Sequence, residues 1–467
     1  MSSDARQVPT PDDSAACVPP VEVAIAGPTR AERRALRVLQ AGAVLVVLAA
    51  ATWKAFELDR FFVPKELVLH LSACIAALLV VRSVRAARFS WVDLLLLLHL
   101  ALGLVSAVVA TNHWLAMRAL AISVSAVAIF WAARVLRTAG LARPLLGALA
   151  LAVVIGCITS LMQTYGVETE FFSLNRAPGG TFGNRNFVAH MAAFGLPVVL
   201  LLAIDARRWP LYLLGVVGAT LVVATLFLTR SRAAWLAFGA VGFVFITALV
   251  LSSALRRDAR TWRRLLGIAV VGAAGIAAAL LVPNALDWTS DNPYLESMRD
   301  VANYEEGSGR GRLVQYRQSL AMAAAHPLLG VGPGNWAVAY PEHAASNDPS
   351  MSNSSAGMTS NPWPSSDWVA VIAERGFPAA LLLVLAVMGI AVSGLQRLIS
   401  AASAHDALRA TTLLATLLGA CVSGMFDAVL LLALPTLLVW AAVGVLYEPA
   451  ASRLAPPAAL RPAALIA

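Results

Sequence analysis

The chain has 467 residues, 59% of them hydrophobic and 13% charged, with a mean hydropathy of +0.74. That balance excludes an ordinary water-soluble domain and describes a membrane protein. The formal charge of +9 does not point to nucleic acid, because the basic residues are scattered over short segments between apolar runs. Cys17, Cys74, Cys157 and Cys421 show no paired spacing, so neither a disulfide framework nor a metal site is expected, and no cofactor is implied.

In chain order, residues 1–35 are polar and rich in Pro, Ser and Asp, which reads as a disordered tail rather than a signal peptide. Mostly apolar runs of roughly 18 or more residues, enough at 1.5 Å per residue to cross about 30 Å of hydrocarbon, then begin near Arg37, Glu66, Trp91, Trp114, Pro144, Phe187, Pro210, Ala233, Leu265, Pro378, Leu408 and Asp427. The expected fold is all-α and polytopic, with about twelve spans. Nine lie within 36–283, a large helical loop follows at 284–377, three more spans lie within 378–447, and a second tail takes 448–467. With both termini inside, every inner segment carries at least two Lys or Arg, and most of the chain's 35 fall there, which fixes the orientation.

One outer turn breaks that pattern. "LTRSRAAW", Leu228 to Trp235, puts Arg230 and Arg232 two residues apart between two long apolar runs. A snorkelling pair at the headgroups is the plain reading; an anion site on the outer face is the functional one. Other outer segments favour the second. "NRAPGGTFGNRNFVAH" holds Arg176, Arg185 and Asn186 in a Gly- and Asn-rich turn, and about ninety residues from Pro283 to Phe377 form one long insertion.

Within that insertion, Leu313, Tyr316, Leu320 and Ala324 fall at helical spacing, predicting an amphipathic helix from near Arg312 to Pro327. Arg310 and Arg312 at its start, beside free backbone N–H groups, would receive phosphate oxygens. Gly330, Gly332 and Gly334 read as a turn. The polar stretch from Ala344 to Ser366 reads as a mobile flap, and "DWVAVIAERGFP" as a short helix entering the tenth span.

Four stretches in this order resemble the O-antigen ligase and polymerase superfamily: "GGTFGNRNFVAH", "LTRSRAAW", "GRLVQYRQSLAMAAAHPLLGVGPGNW" and "SSDWVAVIAERGFP". The resemblance runs from about residue 35 to 447. It implies a GT-C-like, metal-independent membrane glycosyltransferase with an undecaprenyl-diphosphate-linked glycan as donor. Arg232 matches the arginine of the family's Thr-x-Ser-Arg motif and Arg312 the arginine opening its loop helix, both implied to engage the diphosphate. Glu374 and Gly376 match the last motif, but Ser365 stands where the family places an acceptor-activating histidine. A serine hydroxyl cannot act as a general base near neutral pH, so His343 and Asp367 become candidates for that role. His326 reads as structural.

The resulting expectation is ligation of the glycan, with inversion, to lipid A core or a similar acceptor at the periplasmic face of the bacterial inner membrane. Arg232 and Arg312 carry the chemistry, with Arg230, Arg185, Asn186, Arg176, Arg310 and Glu374 in the binding site. A polymerase using the same donor is the alternative. A transporter or a noncatalytic glycan-binding protein is a weaker one, because the span interiors look nearly free of charge and show no internal repeat.

Overall fold

The computed structural model describes residues 27–51, 59–83, 89–173, 176–286, 288, 292–299, 307–345, 348, 351–354, 357–360 and 363–449. The outer parts of both expected tails lie outside these residues. Among the described residues the chain is all-α apart from one short hairpin. In order come α1 (Arg30–Leu48), α2 (Asp59–Val80), α3 (Trp91–Val108), α4 (His113–Thr138), α5 (Ala142–Thr164), α6 (Arg185–Ile204), α7 (Trp209–Leu228), α8 (Arg232–Leu251), α9 (Ser253–Arg257), α10 (Ala259–Leu281), α11 (Pro293–Arg299), α12 (Gly307–Ala325) and α13 (Trp336–Ala339). The hairpin β1 (Met351–Ser354) and β2 (Gly357–Ser360) follows, then α14 (Asp367–Ile399), α15 (Ala404–Phe426) and α16 (Ala433–Leu446). The polar stretch read as a flap thus contains an antiparallel hairpin.

Among the described residues, ten helices are long and apolar enough to cross a membrane: α2 to α8, α10, α14 and α15. The other two expected spans correspond to α1, whose first turns are charged and closed by a Thr29–Glu32 capping box, and to α16, which has 14 residues. α6 is the enclosed axis of the bundle, with α5, α7, α8 and α15 packed around it, whereas α10 leans on α7 and leaves most of its surface outward.

The spans are less free of charge than the sequence suggested. Arg134 pairs with Asp93, which also accepts from Trp131 Nε1 at 2.8 Å. Arg118 meets Glu66 with two bonds of 2.7 and 2.8 Å, and buried Arg375 bonds His99 Nε2 and Ser123 Oγ. Each of these cations has a partner, which is how charge is tolerated in hydrocarbon.

α12 also differs from its expected form. It starts at Gly307, five residues before Arg312, so Arg312 lies in its second turn, away from the free N–H groups. Leu313 and Leu320 are exposed, and the face that packs on α14 is Gln315, Ser319, Met322 and Ala323. Hydrogen bonding chooses that face: Ser319 Oγ accepts from Trp336 Nε1 at 2.8 Å, and Gln315 Oε1 accepts from the Ser365 backbone N–H at 2.6 Å.

Candidate functional site

The turn between α7 and α8 is built to aim arginines. Arg230 adopts φ 52, the left-handed conformation, which costs a bulky residue about 1–3 kcal/mol and marks a constrained position. Its Nε donates to Ser297 Oγ at 2.9 Å, and its guanidinium lies 4.6 Å from the Trp288 ring centroid. Arg185, at the first turn of α6, shares the same indole at 5.0 Å. Burial lowers the Arg230 pKa while Glu296 and Tyr294 oppose the shift, and the group stays a cation at physiological pH.

A second set of charges adjoins the first. Arg185 feels Arg176 as well as Arg230, and its backbone N–H donates to the Arg176 carbonyl at 3.0 Å. Asp427, in the connection after α15, lies within electrostatic reach of Arg312 and Arg176 and accepts a hydrogen bond from the Asn186 side chain. Burial pushes its carboxyl up to about 6, and these three neighbours hold it from rising further. His190, one turn below Asn186 on α6, faces the charge of Arg312; it is 1% exposed, and among the described residues neither ring nitrogen has a hydrogen-bond partner. Leaving such a group unpaired costs about 1–3 kcal/mol, so a native structure that keeps one calls for an explanation.

The turn before α6 is shaped for this purpose. Asn184 caps α6 by accepting from the Asn186 N–H at 3.0 Å. Gly183 takes φ 72, and a Cβ there would strike the Phe61 ring. Lys65 donates to the Thr181 carbonyl at 2.9 Å, and Arg60 to the Glu170 carbonyl at 2.8 Å, fixing the turn against α2.

Asp367 anchors the other side. Its carboxylate accepts from the backbone N–H groups of Val429, Leu430 and Leu431 at 2.8–3.2 Å, so it holds the connection that presents Asp427. The Tyr316 hydroxyl, one turn beyond Arg312, lies 2.7 and 2.6 Å from the carbonyl oxygens of Ser365 and Met425 and shares its one proton between them. Trp363 packs edge-on against Phe62 at 5.3 Å and tilted on Phe187 at 6.2 Å, seating the same segment on α2 and α6. Ser365, half-buried, therefore stands beside the Arg312 helix.

The packing register sets the height of the remaining residues. Phe194 of α6 and Val241 of α8 both meet Gly419 of α15, which runs antiparallel to them. Nine residues toward the loop, about 13.5 Å at 1.5 Å per residue, this brings Arg185, half-buried Arg232 and Ala428 to one level. By the same count His190 is level with Ser423, whose hydroxyl is also buried without a partner, as is that of Ser231 at the start of α8. Arg310 is exposed, roughly 200° around α12 from Arg312. Glu374 is buried and accepts from the Gly334 N–H at 2.8 Å, holding the glycine turn, while half-buried His343 bonds the Ala339 carbonyl at 3.3 Å. His326 is exposed just past the end of α12.

Sequence reasoning passed over Asp427, His190 and Trp288. Asp427 carries the signal that singled out Arg230, a lone charge between two apolar runs, and His190 is the lone polar residue within the apolar body of α6. Below the α7–α8 turn, a cavity of about 710 Å³ opens between α8 and α10, lined by apolar residues such as Leu200, Val223, Phe238, Phe245 and Ile276. Phe238, in the cavity wall, and Trp235 both contact Phe227, three residues before Arg230.

Residues 217–384 match the family model described as O-antigen ligase. The match includes Arg230, Arg232, Arg312, Ser365 and Asp367, and leaves Arg176, Arg185, Asn186, His190 and Asp427 outside it. No curated protein matches the chain.

Proposed function

From a chain whose residues 217–384 match the O-antigen ligase family model, we propose an enzyme that transfers a glycan from undecaprenyl diphosphate to an acceptor hydroxyl at the loop end of the bundle, without a metal and with inversion. The observation that carries this reading is the gathering of Arg176, Arg185, Arg230 and Arg312 from three separate parts of the chain around Trp288 and Asp427. Arg232 enters the same level as α8 begins.

Breaking the bond from the anomeric carbon to the diphosphate oxygen leaves negative charge on a good leaving group. Fixed guanidinium groups are the chemistry that stabilises that charge, and each can offer two parallel N–H donors to phosphate oxygens. The apolar cavity between α8 and α10 takes the polyprenyl chain; Phe238 in its wall touches Phe227, three residues before Arg230. Asp367 and Glu374 work by position, one holding the Asp427 connection and the other the glycine turn. We place the loop end at the periplasmic face, because the opposite connections carry most of the Arg residues.

The test is transfer in cells that lack the native protein, complemented with Arg232→Ala or Arg312→Ala and read as glycan attached to the acceptor. Each variant is expected to lose attachment while still reaching the membrane; attachment at the native level would overturn the clamp. Chain lengths separate the two activities: unattached long glycans in the deleted strain mark a ligase, and short single-repeat glycans mark a polymerase.

A further inference from the structure

We infer that His190 is the base that receives the proton of the attacking acceptor hydroxyl, an inference that rests on the transferase reading above. The first ground is geometric. His190 is fully enclosed, faces Arg312, and stands one helical turn from Asn186, which binds Asp427. Among the described residues, neither of its ring nitrogens has a hydrogen-bond partner. Ser423, level with it on α15, is likewise buried with a hydroxyl that no described residue bonds. Two polar groups left unpaired at one level below an arginine cluster mark a place that a polar ligand completes.

The second ground is chemical. A neutral imidazole offers one N–H donor and one lone pair. A phosphate can satisfy only the donor, because it brings no proton of its own when ionised. A sugar hydroxyl satisfies the lone pair and is the group from which transfer must remove a proton. In the step, the acceptor oxygen forms a bond to the anomeric carbon as its proton passes to the bare imidazole nitrogen. The carbon–oxygen bond to the diphosphate breaks, and its electron pair leaves on undecaprenyl diphosphate, held by Arg312 and its neighbours. The imidazolium then releases the proton to water, so that acceptor and donor become glycosylated acceptor, undecaprenyl diphosphate and one proton. The charged group that faces His190 is Arg312 from α12, which also faces Asp427 after α15; Arg176, Asn186 and Asp367 in turn face Asp427.

The experiment uses right-side-out membrane vesicles holding the full chain with its native donor and acceptor, read as the rate of undecaprenyl diphosphate release at pH 7.5. His190→Gln and His190→Asn keep hydrogen-bonding capacity but do not titrate, and each should lower the rate by about 100-fold or more while binding added undecaprenyl diphosphate within a few fold of wild type. Native rates in either variant would make His190 a positioning residue only and overturn the assignment. Arg312→Gln reports on the underlying reading separately: unchanged undecaprenyl diphosphate binding there refutes the clamp, whatever His190 does.

Discussion

At the scale of single residues, the site divides between cations that hold charge and acids that set its balance. Arg312→Gln removes one of the converging guanidinium groups and should lower transfer about 10²- to 10³-fold with little change in thermal unfolding in detergent, since the side chain is only half-buried. Asp427 governs pH response. Its folded pKa of about 6 lies above the ordinary 3.8, so it contributes stability below the ordinary value that is lost as pH rises through about 6. The same titration adds a negative charge among the arginines. Undecaprenyl diphosphate should therefore bind more tightly at pH 5 than at pH 7.5, and Asp427→Asn should bind more tightly at pH 7.5 and flatten the difference, measured as quenching of tryptophan fluorescence. Arg230 and Arg232 stood out in the sequence because arginine in an expected outer turn runs against the charge bias. Asp427 and His190 were not, since their meaning depends on Asn186 and Arg312, distant in the chain and adjacent in space.

At the scale of elements, the loop is rigid where the site needs it. Gly376 turns α14 from loop helix into span with φ 78, and a Cβ there would strike the Leu328 carbonyl. Gly376→Ala should lower stability by about 1–3 kcal/mol, seen as a lower unfolding temperature, with transfer falling as the Tyr316–Ser365–Met425 bonds loosen. Asp367→Ala strips the partners from three backbone N–H groups, at about 1–3 kcal/mol for each donor that water does not reach, and should release the Asp427 connection; unfolding temperature and transfer should fall together. Helix positions were readable because each apolar run is long. The working face of α12 was not: periodicity chose Leu313 and Leu320, whereas the face that packs is selected by Gln315 and Ser319 through bonds to residues far along the chain. α1 and α16 show the same limit, because run length alone does not say whether a helix is long and apolar enough to span.

For the whole molecule, the bundle gives two ends with different chemistry. In a chain with its native cysteines replaced, Ala345→Cys should react with a membrane-impermeant thiol reagent on intact spheroplasts, and Ala402→Cys, beyond α14 at the opposite end, only after permeabilisation. The reverse pattern would invert the orientation. The enclosed position of α6 explains why its loop-facing turn can carry so many functional groups: helices on several sides hold it, so Arg185, Asn186 and His190 keep fixed positions. Asp367 also has a consequence in time. Because its partners Val429, Leu430 and Leu431 are among the last residues made, a chain that already carries the arginines of the cluster still lacks the groups that hold the Asp427 connection. On the transferase reading, synthesis itself keeps the chain inert until that point, and a chain cut short before Asp427 would occupy the bilayer without being able to spend carrier lipid.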